Sequence, residues 1–103
     1  MMDPFTREEK DRFIRDMFTI MEEDFPGQCT VEWLYDVVLR AQVIYLNVEH
    51  FSNYAITFSI TDRELYSLGS WGTFANFLEL KFRDAWAKLK AKVCEDVQPE
   101  AIR

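Results

Sequence analysis

The chain has 103 residues, of which 49% are hydrophobic and 29% charged, and it carries nine Phe, four Tyr and three Trp with a net charge of −6. That length suits one domain, and the aromatic content argues against disorder, because each buried ring takes roughly 150–250 Å² out of water. A pI near 4.7 disfavours nucleic-acid binding, which relies on Lys and Arg to neutralise phosphates.

Residues 1–97 are expected to form a single compact domain, with 98–103 as a frayed tail. The apolar run Val37–Leu46, broken by Arg40 and Gln42, falls short of the ~18–20 residues a membrane helix needs. Met1-Met2-Asp3-Pro4 has neither the basic start nor the apolar stretch of a secretory signal. Cys29 and Cys94 match no zinc or redox spacing. Reduced thiols in a cytoplasmic protein are the expectation.

The charge is unevenly spread. Residues 1–50 hold 11 acids and 5 bases, whereas 51–103 hold 7 of each. Between Asp16 and Asp62 eight acids face Arg40 alone, and Lys81–Lys92 reverses the sign with five cations against Asp84.

Thr6-Arg7-Glu8-Glu9 has capping-box spacing and opens a helix over 6–24. Phe13, Ile14, Met17, Phe18, Met21 and Phe25 recur on one face of it, and Pro26-Gly27 ends it. A central helix is expected after Thr30. Trp33, Leu34, Val37, Val38 and Ala41 give it an apolar stripe, and Asp36–Arg40 form an i,i+4 pair. From Val43 the pattern alternates, and it does so again at Ile56, Phe58 and Ile60. These two runs predict an antiparallel hairpin around His50–Asn53, preferred over continuation of the helix to Asn47. Thr61–Glu64 is turn-like, and Leu65–Leu68 fits a short third strand or one helical turn. Gly69–Gly72 is a breaker segment. Thr73 then caps a C-terminal helix of about 20 residues, with Phe77, Leu78, Phe82, Ala85, Leu89 and Val93 inward. The expected fold is α+β: two long amphipathic helices, N- and C-terminal, and a central helix packed with a small antiparallel sheet. The alternative is all-α.

Catalytic chemistry is not evident. His50 is the sole histidine, with no nucleophile at a recognisable spacing, and no phosphate-loop, dinucleotide, serine-hydrolase or zinc-protease motif occurs. Glu22, Glu23 and Asp24 are consecutive and diverge on a helix, so they do not converge on one ion. No catalytic residue, metal site or cofactor is expected. Partner-binding candidates are Glu22, Glu23, Asp24, Trp33, Tyr35 and Asp36, an acidic and aromatic stretch, and Trp71, set between small residues. They suggest a non-enzymatic binding protein that neutralises or inhibits a basic protein partner, in the manner of immunity proteins, antitoxins or phage inhibitors. Alternatives are a homodimeric acidic chaperone or adaptor, or a structural subunit of a larger assembly. No membrane association is expected, and nucleic acid is disfavoured.

Overall fold

The computed structural model describes residues 6–50, 52–68 and 71–101, with the backbone alone at 71–73 and 96–101. Helix α1, Arg7–Asp24, begins at the expected capping box: Thr6 Oγ1 accepts from Glu9 N at 3.1 Å, and Thr6 N donates to Glu9 Oε1 at 2.8 Å. It stops at Phe25-Pro26-Gly27, where Gly27 adopts φ +74° and donates its N–H to Glu22 Oε2. That backbone region favours glycine because it has no Cβ.

Strands β1 (Cys29–Asp36), β2 (Ala41–His50) and β3 (Ser52–Thr61) follow, and form an antiparallel sheet in the order β1-β2-β3. The hairpin inferred from alternation is the β2–β3 pair, with Ile44 opposite Phe58 and Leu46 opposite Ile56. The expected central helix over 30–41 is not formed. Its first half is β1, and Val37–Arg40 is a turn. Asp36 does not pair with Arg40 across a helical turn; its Oδ1 accepts from Leu39 N at 2.9 Å. Pairing with β2 explains the outcome. A strand places Cys29, Val31 and Trp33 on one face beside Val48, Leu46 and Ile44, whereas a helix would leave that side of β2 without a neighbour. Tertiary pairing of this kind routinely outweighs local propensity.

Helix α2, Asp62–Leu68, resolves the strand-or-turn alternative at 65–68 as helix. Thr61-Asp62-Arg63-Glu64 is a second capping box: Thr61 Oγ1 accepts from Glu64 N, and Glu64 Oε1 accepts from Thr61 N. Helix α3, Trp71–Ala101, starts ahead of Thr73, so Thr73 lies in its first turn and is not its cap. Its backbone continues through 98–101, the stretch assigned above to a tail. The fold is α+β with two long terminal helices and one short helix, and the central element is a strand.

The helices cover one face of the sheet. α3 lies beside α1 and runs the same way, since Phe13 shares a furrow with Leu78, Ile20 lies by Phe82 and Trp86, and Lys90 Nζ stands 3.2 Å from Asp24. Met17 and Met21 of α1, Ile44, Leu46 and Val48 of β2, Ile60 of β3, and Leu78, Phe82 and Leu89 of α3 form one buried cluster. Gln42 is fully buried among them and accepts from Trp33 Nε1 at 2.9 Å, as a buried amide requires. Cys29 and Cys94 are free thiols, and no helix among the described residues is long and apolar enough to cross a membrane.

Candidate binding surface

The strand period of two sorts the residues of the sheet. Cys29, Val31 and Trp33 point to the helices with Val48, Leu46 and Ile44. Thr30, Glu32 and Leu34 point the other way, in register with Asn47, Tyr45 and Val43 and then with Ala55, Thr57 and Ser59. Glu32, Leu34, Tyr45, Glu49, Ala55 and Thr57 on that second face are all exposed, while Val43 and Ala41 at its β1–β2 turn end are buried. Its charged residues are Glu32 and Glu49, with Asp36 at its end, and it carries no Lys or Arg. Tyr45 sits between Glu32 and Thr57 near its centre.

The structure separates the residues singled out from sequence. Glu22, Glu23 and Asp24 lie where α1 meets β1, whereas Tyr35 and Asp36 lie at the far end of β1, roughly 20 Å away at ~3.3 Å per strand residue. Glu22 is tied to Gly27 N, Asp24 pairs with Lys90, and Glu23 is exposed. Trp33 is half-buried on the helix side, its ring 6.2 Å from that of Phe13. Tyr35 donates to Asp62 Oδ2 at 2.7 Å. Trp71 opens the α3 backbone, and its side chain lies outside the described residues. Tyr45 and Glu49 are not among the partner-binding candidates drawn from sequence, although the alternation at 43–49 already sends Tyr45, Asn47 and Glu49 to the side opposite Ile44, Leu46 and Val48; only the pairing with β1 sets them beside Glu32 and Leu34.

Glu22 and Asp24 are nevertheless felt by the sheet. Burial, reinforced by these two carboxylates, pushes the Cys29 thiol up to about 11. Cys29 pairs with Val48, next to Glu49, so the acids at the end of α1 and Glu49 share one end of the molecule. Four of the five cations at 81–92 are paired: Lys81, Arg83, Lys88 and Lys90 with Glu64, Glu79, Asp84 and Asp24, while Lys92 is exposed. Lys81 also donates to Ser59 O at 2.6 Å, so that it covers the β3 edge. Glu64, bonded by Thr61 N–H and facing Lys81, titrates below the ordinary glutamate range.

The other end carries an apolar tip. Val37, Val38 and Leu39 in the β1–β2 turn are 76%, 91% and 64% exposed. Asp36 bonded to Leu39 N, and Arg40 O accepting from Asp62 N at 2.9 Å, hold the turn in one shape. Arg40 has φ +51°, a left-handed conformation costing a non-glycine residue about 1 kcal/mol or more.

His50 Nδ1 lies 2.9 Å from Gln28 Oε1 and its ring 5.5 Å from that of Phe25, so its neighbours are structural. Among the described residues no group of three or more His, Cys, Asp or Glu is placed to hold a metal ion. No known protein family, curated protein or solved structure matches the chain.

Proposed function

We propose that this is a non-enzymatic binding protein that captures and neutralises a basic protein partner on the open face of its sheet. One observation carries the reading: an exposed sheet face holds Leu34 and Tyr45 beside Glu32 and Glu49, with no cation on it. Tyrosine anchors association because it buries much area at little entropic cost. Carboxylates around it attract a basic surface and set partner and register. Glu22, Glu23 and Asp24 extend the acidic field at the α1–β1 end, and Asp36 marks its opposite limit.

A salt-resolved pull-down from host lysate with wild type, Tyr45→Ala and the Glu32→Lys/Glu49→Lys double variant tests this. One stoichiometric basic partner is expected at low salt, lost at high salt as charge is screened and lost with either variant. A partner retained by both variants overturns the assignment to this face.

A second reading, a homodimeric chaperone or adaptor, is favoured by a different feature. A furrow of about 470 Å³ between α1 and α3, with Phe13, Met17, Ile20, Leu78 and Phe82 in its lining and Asp16 and Glu79 among its polar residues, could seat the apolar face of a segment. Binding there would be nearly independent of salt and indifferent to Glu32 and Glu49.

A further inference from the structure

The β1–β2 end of the sheet holds a site separate from the open face. We propose that it binds an organic monoanion, a single carboxylate on an apolar body. A cleft of about 850 Å³ is lined there by Tyr35, Val37, Leu39, Arg40, Asp62 and Arg63, with Thr61 at its edge. That volume lies within the range of small-molecule sites.

The charges in the cleft specify the ligand. Lys81, Arg83, Lys88 and Lys90 are each held by a carboxylate. Among the described residues the guanidiniums of Arg40 and Arg63, like the side chains of Arg7, Arg12, Arg15 and Lys92, have neither an ion pair nor a hydrogen bond, and of these only Arg40 and Arg63 line the cleft. Nearby carboxylates are engaged elsewhere: Asp36 by Leu39 N, Asp62 Oδ2 by the Tyr35 hydroxyl, and Glu64 by Thr61 and Lys81. Asp62 Oδ1 is enclosed and has no donor among the described residues. Arg40 and Arg63 face the lining carboxylate of Asp62 and the neighbouring Asp36, whose backbone hydrogen bond leaves its charge in place, so the cleft lacks the positive surplus a phosphate dianion needs and suits at most a singly charged group. The planar guanidinium fork fits a carboxylate in two-point geometry.

The backbone and the apolar wall support the same conclusion. Arg40 is the one described non-glycine residue with positive φ. Glycine would occupy that position with less strain, so arginine there points to a use for the side chain. Val37 and Leu39 form a wall that an inorganic ion would leave in water and an aliphatic or aromatic body would cover.

The test uses octanoate as probe, with octanamide and inorganic phosphate as controls, titrated into the full chain by calorimetry. Saturable octanoate binding is expected, with octanamide and phosphate weaker by about tenfold or more, the scale of a lost charge-assisted hydrogen bond. Arg40→Gly should weaken octanoate by a similar factor while leaving the melting temperature unchanged or higher, because it relieves the left-handed strain. Arg63→Gln gives a second reading at an exposed helical position that does not need its charge to fold. The Glu32→Lys/Glu49→Lys variant should bind octanoate as wild type does, so failure of the partner-capture reading leaves this result standing. Equal binding of octanoate and octanamide, no saturable octanoate binding, or binding that survives both arginine substitutions overturns the proposal.

Discussion

Along β2, Ile44, Leu46 and Val48 are sealed beneath α1 and α3, whereas Tyr45 and Glu49, one position away, look outward. The two faces of one sheet thus obey different rules. On the covered face each side chain is chosen by shape, because loss of buried volume leaves a cavity the helices cannot fill. On the open face Val43 and Ala41 are buried, but Leu34 and Tyr45 stay exposed and lie outside the buried cluster of the other face. Exposed apolar residues beside carboxylates are why that face carries the functional proposal.

The sharpest way to probe the contrast is at adjacent positions. Leu46→Ala should destabilise the protein by about 2–5 kcal/mol, seen as a lower denaturant midpoint. Tyr45→Ala should change stability by less than about 1 kcal/mol while abolishing partner capture. Comparable losses of stability at both positions would remove the distinction between the faces.

A smaller effect is expected where β1 meets the core. Trp33→Phe keeps the contact with Phe13 but removes the donor to Gln42 Oε1. A loss of about 1–2 kcal/mol should appear in equilibrium unfolding, with partner capture preserved. Unchanged stability would mean that Trp33 is not tied into the covered face.

Thr61 ends β3 and opens α2. Its hydroxyl caps α2, so Thr61→Ala should cost about 1 kcal/mol in thermal denaturation. The same clamp gives the smallest signal, one of pH. Glu64 titrates below its unfolded value, chiefly through the Thr61 N–H bond and then Lys81. Its ionised form therefore stabilises the fold at pH values above the ordinary glutamate pKa of about 4.3. That contribution should fade as pH falls through the lower folded value. The stability difference between wild type and Glu64→Gln should accordingly shrink between neutral pH and the acid limb. A difference that grows on acidification would reverse the assigned sign.

Much of the fold is written locally. The Thr6–Glu9 capping box and the Pro26-Gly27 stop bound α1 within a residue of expectation, since both act through neighbours in sequence. The alternation at 43–48 and 56–60 identifies the β2–β3 hairpin. Thr61–Glu64 repeats the spacing of Thr6–Glu9, yet suggests only a turn until the helix it opens is seen, because that helix has just seven residues. Of the candidate surface, the sequence showed an acidic and aromatic first half but not its partition.

That partition depends on β1. Residues 30–41 satisfy a helical stripe through Trp33, Leu34, Val37 and Val38, and an alternating one through Val31, Trp33 and Tyr35. Local energetics do not separate the two. The choice comes from β2, whose backbone gains a ladder and whose side chains gain Val31 and Trp33 as neighbours only if 29–36 is extended. Once it is a strand, the faces are assigned: Trp33 turns inward, Glu32 and Leu34 outward, and Asp36 is carried roughly 20 Å from Asp24. The sequence by itself determined the acidic charge, the two long helices and the hairpin, because each depends on contacts within a few turns or residues. Tertiary structure alone decided which side chains share the open face and which line the Arg40–Arg63 cleft, because strand pairing joins positions that local periodicity cannot relate.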